Sequence, residues 1–184
     1  GSSAASTTVY GGTLGGTGTL GGPVTMAAGT TLAPGAAIGK VGDLTINSEL
    51  SIGGNVAIEV NKSLSCSKDL VVVTGTLANT GTGTLTVINL GPALAIGDKF
   101  TVFSRLVQNG AALTVTGGGA TWVNNLAVDG SITVSSISGA PVLDFSRNGN
   151  NLQFSWTGSF KLQAQTNTIG INTNWADYPG GGTS

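Results

Sequence analysis

Short alternations of apolar and polar residues, most of them ended by Gly, Asn or Pro, recur along most of the chain. Such alternation places every second side chain on one face of a strand, and few windows carry apolar residues at helical spacing. Frequent Gly and β-branched residues also disfavour helices. The pattern therefore predicts an all-β protein with few or no helices. Candidate strands cover residues 23–26, 44–46, 49–52, 56–60, 70–73, 85–90, 99–103, 113–115 and 131–134.

A Gly-Thr-Leu triplet recurs among these segments. It stands at residues 12–14, 18–20, 75–77 and 83–85, with a Gly-Thr-Thr-Leu variant at 29–32. In a β-solenoid, each turn contributes short strands, Leu or Val points into a continuous core, and Gly or Asn forms the corners. The triplets predict a short, parallel β-helix-like solenoid body over residues 12–137. Because their spacing is irregular, a β-sandwich with Gly-rich loops is the alternative.

The composition changes near residues 135–141, where Ser-Ser-Ile-Ser-Gly-Ala-Pro is typical of a linker. The segments beyond it predict three antiparallel strands at 142–146, 152–156 and 160–165. An Asn-Gly pair at 148–149 predicts a hairpin between the first two. We expect a small C-terminal β module over residues 138–184, anchored by Trp156 and Trp175. A module of this size is marginal, so it should need docking or a strand supplied from elsewhere.

Charge is scarce, because only 8% of the residues are charged and the formal net charge is −1. The seven Lys and Arg residues are scattered singly, which gives no basic stripe for a nucleic-acid partner. No apolar run approaches the roughly 18 residues that a membrane span needs. A surface made polar by Thr, Ser and Asn is typical of extracellular fibrous and β-solenoid proteins. We therefore expect a secreted protein that is extracellular or lies at the cell surface.

Residue types that carry catalysis are few. The chain has no histidine, which removes the commonest general base, the Ser-His and Cys-His pairs and the commonest metal ligand. Two carboxylate pairs could approach each other on neighbouring turns: Asp43 with Glu49, and Glu59 with Asp69. We interpret all four as solvated surface charges. The sequence thus predicts no enzyme, no cofactor and no metal site.

Three further features have simple interpretations. The only close mixed cluster of charges is that of Lys62, Lys68 and Asp69, which we interpret as a polar loop. The only cysteine, Cys66, cannot form an intrachain disulfide and is interpreted as a small buried or half-exposed residue. Large aromatic side chains could form a platform for extracellular glycans. The candidate glycan contacts are Trp175 and Tyr178, which lie beside Asp177 and Pro179.

Several of these motifs closely resemble the autotransporter-associated β-strand repeat. The resemblance is carried by Gly-Thr-Leu-Gly-Gly-Thr-Gly-Thr-Leu-Gly-Gly-Pro-Val-Thr from residue 12, Ala-Gly-Thr-Thr-Leu-Ala-Pro-Gly-Ala from residue 28 and Leu-Thr-Ile from residue 44. Residues 56–90 look like the turns that end such arrays. The segment from Leu-Gln-Phe-Ser-Trp at 152 to Asn-Trp-Ala-Asp-Tyr-Pro-Gly at 174 resembles a small module that closes these chains.

That repeat occurs in tandem in large bacterial secreted and surface proteins, whose passengers are predicted to be right-handed parallel β-helices. The resemblance implies the C-terminal part of such a chain, and it brings no catalytic residues. Only about one clear repeat copy is present, and no outer-membrane barrel follows it. The closing module also stops before the final apolar strand that we expect of it.

These features together favour a structural protein of the bacterial surface or matrix that self-assembles head to tail into filaments. Residues 1–11 predict an extended N-terminal strand without an obvious partner in the chain. The candidate inter-subunit strand is Thr7, Thr8, Val9 and Tyr10, and the candidate acceptor groove is Phe154, Trp156 and Leu162. Because donor and acceptor lie at opposite ends of one chain, strand addition between copies gives an open filament.

Three alternatives stay open. The first is an adhesin or glycan-binding module, and a more remote one is a carbohydrate-active enzyme that has lost its catalytic half. The third is a monomeric fragment whose N-terminal tail is disordered.

Overall fold

The computed structural model of the protein describes residues 4–35, 39–138, 144–155, 163–164 and 176–177. The chain divides into two compact units, Gly1–Ser138 and Gly139–Ser184. The first unit is a β-solenoid of about four turns, and the second contains a small antiparallel sheet. The all-β prediction is therefore confirmed. Short helical segments occur at Gly110–Ala112 (a 3-10 helix) and Leu126–Asp129 (α1).

Each of the first three turns of the solenoid, called rungs, adds one strand to each of three faces, and strands of successive rungs pair in parallel. The fourth rung adds strands to the first and second faces only. The first face consists of β1 (Thr7–Val9), β4 (Val24–Met26), β7 (Leu50–Ile52) and β10 (Leu77–Asn79). The second consists of β2 (Thr13–Gly16), β5 (Thr31–Pro34), β8 (Asn55–Val60), β11 (Thr84–Asn89) and β13 (Thr114–Gly117). The third consists of β3 (Gly18–Leu20), β6 (Asp43–Ile46) and β9 (Leu70–Val73). This parallel stacking rules out the β-sandwich alternative.

The strand registers align the apolar residues into columns inside the solenoid. On the second face, Leu14 pairs with Leu32, Leu32 with Val56, and Val56 with Leu85. The last three of these side chains are buried. Because side chains alternate between the two sides of a strand, the residues between them point outward. Each fully buried Leu or Val contributes about 1.5–3 kcal/mol relative to an exposed one, so these columns are what holds the rungs together.

Glycine at the corners between the first and second faces lets the rungs approach each other. A Cβ atom added at Gly53 would lie 2.6 Å from the main-chain oxygen of Met26 in the preceding rung. One added at Gly81 would clash with the main-chain oxygen of Gly53. The spacing of the rungs therefore requires glycine at these two corners.

The C-terminal end of the solenoid is closed by an antiparallel sheet, called the cap sheet. Its strands are ordered β12 (Lys99–Thr101), β15 (Ser131–Ile137) and β14 (Ala120–Asn125). Phe100 and Trp122 pack in it with their ring centroids 6.2 Å apart. Buried Phe103, Leu126 and Ile132 extend the solenoid core beneath it.

Two expectations about the end of the first unit are corrected. β14 was not predicted from the sequence, although it is one of the longer strands. The linker predicted at 135–141 begins too early, because β15 continues to Ile137 and pairs Ser136 with Thr121 of β14. A run of serine next to a partner strand can extend a sheet as readily as it can form a linker.

The second unit contains two separate strand pairs in its described residues. β16 (Asp144–Asn148) and β17 (Asn151–Ser155) form an antiparallel hairpin, as the Asn-Gly signal predicts, with Gly149 at φ 61°. β18 (Gln163–Ala164) pairs with β19 (Ala176–Asp177) and not with the hairpin. The third strand predicted at 160–165 lies within the described residues only at 163–164, where its partner is β19.

Candidate functional site

The first rung, formed by β1, β2 and β3, has one unpaired side on each strand. In β1, Thr7 donates its N–H to Pro23 O at 2.8 Å, and Val9 O accepts from Ala27 N at 2.9 Å. Successive residues of a strand direct their N–H and C=O groups to alternate sides. The main-chain groups of Thr8 therefore point away from β4, and no strand among the described residues pairs with that side.

The other two strands of the first rung have the same arrangement. Gly12 O accepts from Thr31 N at 3.0 Å, and Leu20 O accepts from Asn47 N at 2.8 Å. By the same alternation, Thr13 and Thr19 direct their main-chain groups away from the second rung. The result is a three-sided open edge, called the first-rung edge. Its apolar layer consists of the half-buried side chains Val9, Leu14 and Leu20.

The first-rung edge is also free of charge. No Asp, Glu, Lys or Arg precedes Lys40 in the sequence, so the whole first rung is uncharged. Natural proteins usually protect an open strand edge with Lys, Pro, a bulge or a covering segment. The first rung contains no Lys and no Pro. This end of the solenoid thus lacks the residues that normally discourage strand addition.

The candidate inter-subunit strand lies within this rung. Thr7, Thr8 and Val9 pair in parallel with Val24, Thr25 and Met26 of the same chain, whereas the sequence analysis expected no partner for them. The reason for the difference is the register, which aligns Val9 with the buried Met26 in one apolar column. The side of β1 that remains without a partner strand among the described residues is therefore the one that faces away from β4. Tyr10, just beyond the strand, is 84% exposed.

The candidate acceptor groove is only partly within the described residues. Phe154 lies in β17 directly opposite Phe145 of β16, and both side chains are exposed. Its two other predicted members, Trp156 and Leu162, lie outside the described residues. The candidate glycan contacts Trp175 and Tyr178 also lie outside them. The hairpin thus presents one cross-strand pair of exposed phenylalanines.

A second site consists of two buried carboxylates, which the sequence analysis interpreted as solvated surface charges. Asp69 is fully buried, and Glu59 is 6% exposed. Asp69 accepts hydrogen bonds from Gly42 N through Oδ1 and from Glu59 N through Oδ2, both at 2.8 Å. Glu59 accepts from Gly39 N through Oε1 at 2.7 Å. The interpretation was wrong because loop residues that are distant in sequence cover both side chains.

The electrostatics of this pair are unfavourable for two negative charges. The pKa of Asp69 is raised to about 6, mainly by burial and also by the neighbouring carboxylates of Glu59 and Asp43. The two N–H donors to Asp69 act in the opposite direction. Oε2 of Glu59 is buried and has no hydrogen-bond partner among the described residues.

The charged residues of the predicted polar loop, Lys62, Lys68 and Asp69, have different surroundings. Lys62 forms an ion pair with Asp98 at 2.9 Å, whereas Asp69 is buried. Asp43 and Glu49 are both exposed, as interpreted from the sequence. Cys66 is also exposed, whereas a buried or half-exposed position was expected.

The part of the chain that the structure describes shows neither a metal centre nor a membrane-spanning helix. No three or more Asp, Glu, Cys or His side chains in it are placed to hold a metal ion. None of its helices has the length and apolar character needed to cross a membrane.

Comparisons with protein-family models, with curated proteins and with solved structures find no match to this chain. The resemblance to the autotransporter-associated repeat therefore stays a prediction from the motifs. The first-rung edge and the exposed hairpin are the two features from which a function can be argued.

Proposed function

We propose that this chain is an extracellular structural protein of a bacterial surface or matrix that self-assembles head to tail by strand addition. One observation carries the proposal: among the described residues, no strand pairs with the outer side of any of the three strands of the first rung, and the rung contains no charged residue. Unpaired N–H and C=O groups along an uncharged edge are a template for another strand. Strand addition would satisfy these groups and cover Val9, Leu14 and Leu20.

The partner that we propose is the C-terminal unit of a second copy. The opposite end of the solenoid is closed by the cap sheet, so two bodies cannot simply continue each other's rungs. The hairpin of β16 and β17 has two strands whose outer sides are unpaired among the described residues. Its exposed Phe145 and Phe154 could cover the apolar layer of the first-rung edge. Two different surfaces on one chain form a heterologous contact, which gives an open filament unless it closes into a ring.

Charge does not oppose this association. A formal net charge of −1 produces little repulsion between copies. All 15 charged residues lie at or beyond Lys40, away from the first rung in sequence. We therefore expect assembly to depend only weakly on salt concentration, unlike an association driven by ion pairs.

The test uses Thr8, whose side chain is exposed and whose main-chain N–H points to the open side of β1. Thr8→Pro removes that N–H while leaving the bonds of Thr7 and Val9 to the second rung in place. Thr8→Val is the matched control, because it changes the side chain and keeps the N–H. Negative-stain microscopy and sedimentation velocity over a range of concentrations measure assembly, and circular dichroism measures folding.

We expect filaments from the wild-type chain and from Thr8→Val, and monomers from a folded Thr8→Pro variant. A wild-type chain that stays monomeric at every concentration contradicts the proposal. Equal assembly by Thr8→Pro and wild type contradicts the role of the first-rung edge. Association that stops at a dimer contradicts the head-to-tail arrangement.

A further inference from the structure

The buried carboxylates Glu59 and Asp69 of the third rung hold residues 39–42, which lead into β6 of the second rung. Gly39 N donates to Oε1 of Glu59, and Gly42 N donates to Oδ1 of Asp69. The two residues are also bonded to each other, because Asp69 N donates to the main-chain oxygen of Glu59 at 2.8 Å and Glu59 N donates to Oδ2 of Asp69. One cluster thus fixes the position of a loop in the preceding rung.

This cluster has more negative charge than the described residues neutralise. Neither of the two ion pairs within those residues, Lys62 with Asp98 and Lys99 with Asp129, involves it. The charged group that faces Asp69 from β8 is Glu59, and the one from β6 is Asp43. Two carboxylates that are at least nine-tenths buried, one with an unpartnered oxygen, cannot both stay ionised without a large cost. Either a proton or a cation must lower that cost.

We propose that Glu59 and Asp69 form a proton-dependent latch, which holds residues 39–42 against the third rung when the pair binds a proton and loosens them when both carboxylates are ionised. The proton comes from solvent and binds Asp69, so the net charge of the cluster becomes less negative by one. Oε1 of Glu59 still accepts from Gly39 N.

The direction of the pH effect follows from the difference in the pKa of Asp69 between the folded and unfolded states. The pKa of Asp69 is raised to about 6 in the folded chain, from 3.8 for the isolated group. The folded state therefore binds the proton more tightly than the unfolded state does. The stability contributed by the latch is fully present below about pH 4 and is lost as the pH rises through about 6.

The test follows the carboxyl carbons of Glu59 and Asp69 by NMR between pH 3.5 and 8, together with hydrogen exchange at the amides of Gly39 and Gly42. We expect one of the two carboxylates to titrate near pH 6. After correction for intrinsic exchange rates, protection of the two amides should fall about tenfold between pH 5 and pH 7.5, because the latch opens locally. Dilute full-length protein is used, and neither residue lies in the first rung, so the outcome is independent of filament formation.

Glu59→Gln is the informative variant. It keeps an oxygen that can accept from Gly39 and removes the charge that opposes ionisation of Asp69. Because burial is the largest cause of the raised pKa of Asp69, the amides of Gly39 and Gly42 should lose somewhat less protection by pH 7.5 than in the wild type. Glu49→Gln is the matched control, because Glu49 is exposed, and it should behave as wild type.

Three results would overturn the latch. Both carboxylates could titrate below pH 4.5, or protection of Gly39 and Gly42 could be the same at pH 5 and 7.5. The third result is that millimolar CaCl2 restores protection of the two amides at pH 7.5 in the wild type but not in Glu59→Gln. That result would mean that a cation, not a proton, neutralises the pair of carboxylates.

Discussion

Asn79 and Asn109 bond to each other's main chains across two successive rungs. Nδ2 of Asn79 donates to Asn109 O at 3.2 Å, and Nδ2 of Asn109 donates to Asn79 O at 3.3 Å. Asn79 is nearly fully buried and also bonds to Gly81 through its side chain. Asn109 has φ 55°, a left-handed conformation that Asn tolerates better than most residues. The pair fastens the fourth rung to the chain that leads into the cap sheet.

Removing either side chain should destabilise this junction. Asn79→Ala removes the three side-chain hydrogen bonds of a nearly fully buried residue, and we expect a loss of about 2 kcal/mol in the free energy of unfolding. Asn109→Gly keeps the left-handed conformation and removes only the side-chain bond, so we expect about 1 kcal/mol. Denaturant unfolding measures both. Asn47→Ala, at an exposed position, is the control and should change stability by less than about 0.5 kcal/mol.

A glycine at a rung corner should be far less tolerant than one on the surface. Gly53→Ala would place a Cβ 2.6 Å from Met26 O, so the two rungs would have to separate. We expect a loss of about 2 kcal/mol or more in thermal or denaturant unfolding. Gly11→Ala should be near neutral, because no atom lies within 4 Å of the added Cβ. Equal stabilities of the two variants would contradict the corner packing.

The cap sheet should respond to acid in the opposite direction from the Glu59 and Asp69 pair. Asp129 accepts from Lys99 Nζ at 2.7 Å and from Ser131 Oγ at 2.6 Å, which lower the pKa of Asp129 to about 2. Because the folded pKa is depressed, its contribution is present above about pH 4 and is lost as the pH falls through about 2.

The indole NMR signal of Trp122, which donates to Gly117 O at 2.9 Å, reports on the cap sheet during this acid titration. The Asp129→Asn variant should lose the acid-dependent change between pH 4 and pH 2. An Asp144→Asn variant, changed at an exposed position in the second unit, should retain it. A Trp122 signal with the same acid dependence in Asp129→Asn and wild type would contradict the assignment.

Cys66 should be dispensable for folding and assembly. It is exposed, and a single cysteine cannot cross-link the chain to itself. Cys66→Ser should therefore leave the melting temperature and the assembly state unchanged, while a thiol reagent should label the native wild type completely. Loss of assembly on adding a reducing agent would instead reveal a disulfide between copies.

The central strands could be predicted because their signal is local. Segment 49–52 alternates polar and apolar residues, whereas 56–60 and 70–73 are short runs of mostly apolar, β-branched residues. β7, β8 and β9 lie there because one side of each faces the core. The partner of β1 could not be predicted in this way. Its pairing with β4 depends on a register between segments that are separated along the chain, and short Thr-Val strands carry little register information.

The buried carboxylates were missed for the same physical reason. Glu59 occupies an outward position of a strand, where a charge is ordinary, and Asp69 directly precedes β9 after a polar loop. Their burial depends on residues 39–42 closing over them, which is a contact between rungs. The only local signal was that Glu59 lies between the apolar residues Ile58 and Val60, both of which are buried.

We expect the solenoid to fold from its C-terminal end, where the cap sheet lies. β14 and β15 are adjacent in sequence and form a hairpin-like pair, so their contacts cost less loop-closure entropy than the pairing of distant rungs. Each rung can then form on the one already folded, as in other linear repeat arrays, until the uncharged first rung is added last. Substitutions in the cap sheet should therefore slow folding, whereas those at Val9 or Leu14 should mainly speed unfolding.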